Sequence, residues 1–226
     1  MYVTYQTNFT EFGDAHPVDL EAPPHQDAKL RTVRAGQILF TEGDPARLIF
    51  RVGSGVLRLS RVTENGRRQV VAFGYPGDVL GFPLDGLYCA DCDTLTSATL
   101  SVLPALALEH PLVYPQTNAF LVDRMAREIS SMQDHFMMLG RKSAQEKVAA
   151  FILALMARAG RSGVSGCAVD LPMNRTDIAD FLGITTETVS RMLTSLRSAG
   201  LIKLTTPQEV RVLDVPGLSR VAHGGD

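Results

Sequence analysis

Glu187, Ser190 and Arg191 stand three and four residues apart in Thr185-Thr-Glu-Thr-Val-Ser-Arg191, a spacing that puts them on one side of a helix near its N-terminal end. Their chemistry suits the edges of DNA bases. An arginine can donate twice to guanine O6 and N7, a glutamate can accept from cytosine N4, and a serine can bond either way or touch a thymine methyl. The same three residues would also serve as a solvated helix face carrying a Glu–Arg pair. The elements that hold them decide between the two readings.

Upstream, Asn174 or Thr176 can cap a short helix whose apolar side is Ile178, Ala179, Phe181 and Leu182. Ala179 is small enough to admit a second helix at close range. Gly183 allows a tight turn, Ile184 fills the space behind it, and Thr185 can cap a second helix, roughly Thr186 to Ala199, with Val189, Leu193 and Leu196 inward. This order is that of a helix-turn-helix, whose second helix enters a major groove. Leu201-Ile-Lys-Leu204 and Val210-Arg-Val-Leu213 then flank a turn at Thr206-Pro207, a hairpin of the winged kind. Lys203 and Arg211 on this hairpin can reach phosphates, which fix register without reading sequence. Thr176, Thr185 and Thr186 complete the candidate contacts to double-stranded DNA.

Between Tyr114 and Arg158 the apolar residues take a helical period. Leu121, Met125, Ile129, Met132, Phe136 and Leu139 form one stripe on a helix of about seven turns. A stripe of that length needs a cover, either the roll of the same chain or a second copy of the chain as in a two-stranded coiled coil, and since a single roll would struggle to cover its whole length the second copy is expected. Gly140 marks a break, and a second helix follows from Ser143 to Ala159 with Val148, Phe151, Ile152 and Leu155 inward.

From Lys29 to about Ala107 the chain reads as short strands between glycine turns, such as Gln37-Ile-Leu-Phe40, Arg47 to Val52 and Gly55 to Val62, with a tight hairpin expected at Asn65-Gly66. Many short strands at close spacing suggest a barrel or roll. Residues 1–28, with Pro17, Pro23 and Pro24, read as a loose arm. The expected organisation is therefore α+β: arm 1–28, roll 29–113, dimerisation helix 114–140, and winged helix-turn-helix 141–226.

Composition agrees with this reading. The 226 residues are 45% hydrophobic and 20% charged, ordinary for a globular protein, and the net charge is -2. The charge is uneven: residues 1–140 hold 11 of the 22 lysines and arginines but 16 of the 24 acids, so the C-terminal part is the basic one. No apolar run is long enough for a membrane span and no secretory leader is legible, so a cytoplasmic location away from membranes is expected. No nucleophile–base arrangement, phosphate loop or metal-ligand run points to an enzyme.

The chain resembles the Crp-Fnr superfamily of bacterial regulators over about Lys29 to Val215. Ala35-Gly-Gln-Ile-Leu-Phe-Thr-Glu-Gly-Asp44 is similar to the family's opening roll motif, Pro76-Gly-Asp-Val-Leu-Gly81 to its later turn, and Asn174 to Gly200 to its DNA-binding signature. The resemblance implies a cyclic-nucleotide-binding-type β-roll, a long dimerisation helix and a C-terminal winged helix-turn-helix. It also implies a homodimeric transcription regulator, an activator that recruits RNA polymerase. Glu187, Ser190 and Arg191 resemble the Fnr and FixK branch, which implies a TTGAT-N4-ATCAA palindrome and a circuit in low-oxygen or nitrogen metabolism.

Departures from the family bear on the input. Where cyclic-AMP-binding members have Gly-Glu and Arg-Ser/Thr-Ala motifs, this chain has Gly81-Phe-Pro-Leu-Asp85 and Asp93-Thr-Leu-Thr-Ser-Ala98, and an acid would repel a cyclic phosphate. No cysteine precedes Cys89, and three cysteines are too few for a four-thiolate cluster, so neither cyclic nucleotide nor iron-sulfur cofactor is expected. Cys89 and Cys92 have a spacing used by zinc sites and redox pairs, though loop cysteines without a role fit as well. Cys167, just before the DNA-binding segment, is a candidate for oxidation that would disturb DNA approach. A roll that senses a small molecule is the second functional class.

Overall fold

The computed structural model describes residues 29–225, so the expected arm of residues 1–28 lies outside the described residues. Those described form two compact units: 29–129 with 171–188, and 130–170 with 189–225.

The first unit is the roll. Its strands are β1 (Lys29–Val33), β2 (Ile38–Phe40), β3 (Leu48–Ser54), β4 (Leu57–Val62), β5 (Arg68–Gly74), β6 (Val79–Leu80), β7 (Asp91–Thr94) and β8 (Ala98–Pro104). They make two antiparallel four-stranded sheets, ordered β1-β8-β3-β6 and β2-β7-β4-β5. The interior is apolar: Phe40, Phe50, Val52, Leu57, Leu80, Tyr88, Cys92 and Leu100 are all buried together. Tyr88 stacks on Phe40 with ring centroids 4.0 Å apart and donates its hydroxyl to the Leu48 carbonyl at 2.8 Å.

Two details differ from the sequence expectation. Burial along β4 does not alternate, and its ladder with β5 shifts register between Leu59 and Ser60, where Val71 of β5 is the extra residue. On β4, Leu57 and Ser60, three positions apart, are buried, while Arg61 and Val62 are exposed. The β4–β5 turn is also wider than a two-residue hairpin: Thr63 N–H donates to Arg67 O at 2.8 Å, and of Asn65 and Gly66 only Gly66 takes a positive φ. Asn65 instead uses its side-chain oxygen, accepting from the Thr63 hydroxyl at 2.5 Å.

After a 3-10 turn at Ala105–Leu108, helix α1 runs Pro115–Arg141, passing from the first unit into the second. Gly140 lies inside its last turn, so the break comes just beyond it. Helix α2 (Ala144–Arg158) opens with a capping box: the Ser143 hydroxyl accepts from Glu146 N–H, and the Glu146 carboxylate accepts from Ser143 N–H. Val148, Phe151, Ile152 and Leu155 are buried as their period requires.

The stretch before the helix-turn-helix ends in a strand that the sequence did not reveal, β9 (Ala168–Asp170). Helix α3 (Arg175–Leu182) belongs to the first unit and α4 (Thr186–Ser198) crosses into the second. The chain continues through β10 (Ile202–Thr206), β11 (Glu209–Val212) and helix α5 (Val215–Ala222). A three-stranded sheet results, ordered β10-β11-β9. α5 packs on α2 and is capped by Asp214, whose carboxylate accepts from Gly217 N–H at 3.0 Å.

Candidate nucleic-acid interface

The first helix of the pair, α3, starts at a polar cap. Asn174 Oδ1 accepts from Asp177 N–H at 2.8 Å, and Asp177 Oδ2 accepts from Asn174 N–H at 3.3 Å. Of the two expected caps, Asn174 takes the role, and Thr176 sits one step inside the helix with its side chain exposed. Gly183 ends α3 in the left-handed region at φ 62, which turns the chain within three residues. Thr185 caps α4 as its position suggested, accepting from Thr188 N–H at 3.2 Å.

On α4, Val189, Leu193 and Leu196 are buried. At about 100° per residue, Glu187, Ser190 and Arg191 spread over only about 100° on the side away from them. All three are exposed, and Thr186 is half-buried. Glu187 in the first turn and Arg197 in the last complement the helix dipole. One continuous helix thus carries an acceptor, a hydroxyl and a forked donor along an outward face, the inventory needed to read base edges.

The wing sets Lys203 and Arg211 directly across from each other on β10 and β11, both exposed. Like charges opposed across a ladder repel, and an anion between them would relieve the repulsion. Thr206 and Pro207 lie at the turn, as expected.

A cation passed over in the sequence is Arg175, the first residue of α3. Its Nη1 is buried and finds no hydrogen-bond partner among the described residues, and burial lowers its pKa.

The stripe on α1 divides. Leu121 is fully buried with Ile49, Val79, Leu103 and Ala107 of its own chain. Its assignment to a dimer contact is therefore corrected: the roll already covers it. Met125 and Leu139 are half-buried, whereas Ile129, Met132 and Phe136 are 55%, 62% and 75% exposed.

The cysteine pair does not act as a unit. Cys92 is fully buried in the roll and its thiol pKa is pushed up by desolvation, while Cys89 is exposed. A shared metal or redox site at Cys89 and Cys92 is thus corrected, since only one sulfur reaches solvent. Among the described residues no three His, Cys, Asp or Glu side chains are grouped to hold a metal. Cys167 is half-exposed, its carbonyl accepting from Val212 N–H.

A roll, a long helix and a winged helix-turn-helix define the class of DNA-binding transcription regulators, and comparison with known proteins agrees. Residues 30–110 match the cyclic nucleotide-binding domain and residues 146–221 the Crp-like helix-turn-helix domain. The nitrogen fixation regulation protein FixK of Bradyrhizobium diazoefficiens is 38% identical over 179 residues, 75% of this chain and 72% of the relative. The transcriptional activatory protein AadR of Rhodopseudomonas palustris is 39% identical over 179 residues, 79% and 74% of the two chains. The solved structure of FixK2 from Bradyrhizobium japonicum superposes with a TM-score of 0.76 at 30% identity, covering 86% of this chain and 96% of that one. The chain belongs to the Crp-Fnr family of transcription regulators.

Proposed function

We propose that the chain works as a cytoplasmic homodimer that activates transcription by setting two copies of α4 into successive major grooves of a TTGAT-N4-ATCAA-type palindrome. The observation that carries this reading is the outward face of α4, where Glu187, Ser190 and Arg191 are exposed together above a buried Val189, Leu193 and Leu196. Thr176, Thr185, Thr186, Lys203 and Arg211 supply contacts to the backbone, and RNA polymerase is the partner recruited. Exposure of Ile129, Met132 and Phe136 on α1 supports the dimer, because three large apolar side chains at helical spacing are costly to leave in water. A two-fold dimer in turn requires two half-sites about one helical turn apart. The names of the relatives support activation and a place in nitrogen control.

The roll does not suit a cyclic nucleotide. Its turn at residues 81–89 holds one charged side chain, Asp85, and the Asp93 carboxylate is bound to Arg58 at 2.8 Å. A cyclic phosphate there would meet the acids Asp85 and Asp93, and the one nearby guanidinium, Arg58, is already taken up by Asp93 and Asp177. We infer that the regulator needs neither that ligand nor a metal or cluster.

DNase footprinting of the purified chain on the palindromic duplex tests the proposal. Protection symmetric about the dyad, with two chains per duplex, is expected. Protection no stronger than on a scrambled duplex would refute it.

A further inference from the structure

Helix α3 is tied to the roll by charges that neither base reading nor dimerisation uses. Arg58 on β4 donates from Nη1 to Asp177 Oδ1 at 2.6 Å, and from Nε and Nη2 to the two oxygens of Asp93 at 3.0 and 2.8 Å. Arg68 on β5 donates from Nη2 to Asp177 Oδ1 at 2.5 Å and to Asp180 Oδ2 at 3.1 Å. The neighbouring Gln69 amide donates to the Asp180 carbonyl, and Phe73 meets Phe181 at 5.2 Å between ring centroids. Asp177, Asp180 and Phe181 occupy i, i+3 and i+4, so one face of α3 makes every one of these contacts.

Asp177 is only 1% exposed and has two tasks, capping α3 and receiving two arginines. Burial opposes the charge on Arg58, yet Asp93 and Asp177 hold its pKa above the ordinary value. Removing a partner from the buried Asp177 charge is costly, although the other charged groups stay partly exposed, and this favours one discrete arrangement. It also leaves the reading side chains alone: Glu187, Ser190 and Arg191 are exposed while the ion pairs are closed. A contact built to inhibit would cover that face.

We propose that Arg58 and Arg68, with Asp93, Asp177 and Asp180, form a latch by which the roll fixes α3, the first helix of the helix-turn-helix, and so favours DNA binding. The latch needs no bound ligand, and it rests on the DNA-binding function proposed above. Because α4 follows α3 through the three-residue turn at Gly183, fixing α3 restricts the directions in which the reading helix can point. Opening the latch would spread the head over other poses, and apparent affinity falls with the fraction that remains competent.

The test uses the full-length chain, a labelled TTGAT-N4-ATCAA duplex and the variants Asp180→Asn, Asp177→Asn and Arg68→Met. Removing an acid from a DNA-binding protein ordinarily strengthens its hold on a polyanion. The latch predicts the reverse for both aspartate variants, with affinity weaker by on the order of tenfold, within the usual range of coupling between sites. Arg68→Met should weaken binding likewise and speed hydrogen exchange of the α3 amides, with the reading helix still folded by circular dichroism. Asp180→Asn serves where Asp177→Asn disturbs the cap and fails to fold. Unchanged or tighter binding by Asp180→Asn overturns the latch. Weaker binding by Arg68→Met with unchanged exchange in α3 also overturns it, because Arg68 would then be touching DNA. Failure of the unsubstituted chain to bind the palindrome overturns the DNA reading itself and the latch with it.

Discussion

Leu121 and Phe136 sit on the same helix and in the same apolar stripe, yet the structure assigns them opposite consequences on truncation. Leu121 is fully buried in the core that Ile49, Val79 and Leu103 contribute. Leu121→Ala should cost the folded chain about 2.7–5 kcal/mol, the range for buried leucines that leave a cavity. Phe136 is 75% exposed, so Phe136→Ala should change the stability of a single chain by no more than about 0.5 kcal/mol. In a dimer that covers the ring, three-quarters of the usual gain of about 1.5–3 kcal/mol for burying such a side chain is lost, once in each chain. That amounts to about 2.2–4.5 kcal/mol per dimer, or a rise of about 40- to 2000-fold in the dissociation constant. Sedimentation equilibrium over a concentration series, with urea unfolding followed by circular dichroism, separates the two effects. Phe136→Ala should sediment as a folded monomer at concentrations where the parent is dimeric. Leu121→Ala should unfold at lower urea with its dimer constant within about threefold of the parent, as expected for sites without shared partners. A Phe136→Ala protein that dimerises as tightly as the parent would refute the assignment of the exposed half of α1 to the interface.

Three further outcomes follow from local geometry. Gly183→Ala places a Cβ at φ 62, which should cost about 1–2 kcal/mol and be visible as a lower melting temperature; an unchanged melt would contradict the left-handed turn. Gly55→Ala should be worse, because at φ 85 its Cβ would lie 2.4 Å from the Ser97 carbonyl oxygen and 2.8 Å from Ala98, and a soluble, equally stable variant would argue against that close approach. Iodoacetamide followed by mass spectrometry should label exposed Cys89 in the native chain and reach Cys92 only in denaturant; equal labelling rates would contradict the buried thiol.

The helix-turn-helix was legible because each of its signals is local. A capping asparagine, a glycine at a left-handed position, a capping threonine and two apolar periods all fall between residues 174 and 196. The division of the α1 stripe was not legible, since periodicity shows that a face is apolar and not what covers it. Leu121 meets the roll through residues about 20 to 70 positions away in the chain. Strand β9 has three residues and depends on its pairing with β11, about 40 residues later, so no pattern within it could announce it. The bulge at Val71 of β5 shows only in the pairing of β5 with β4. Arg58 and Arg68 read as ordinary strand residues because Asp177 lies 119 and 109 positions away.

Base reading by α4, as proposed, depends most on Arg191. Fluorescence anisotropy with the parent chain and Arg191→Ala, on the palindromic duplex and on a random duplex at one salt concentration, isolates base reading from phosphate attraction. A bidentate arginine–guanine contact is worth about 1–3 kcal/mol, so losing it in two half-sites should weaken palindrome binding by at least about 30-fold and leave random DNA within about threefold. Equal losses on both duplexes would make Arg191 a backbone contact and contradict the account.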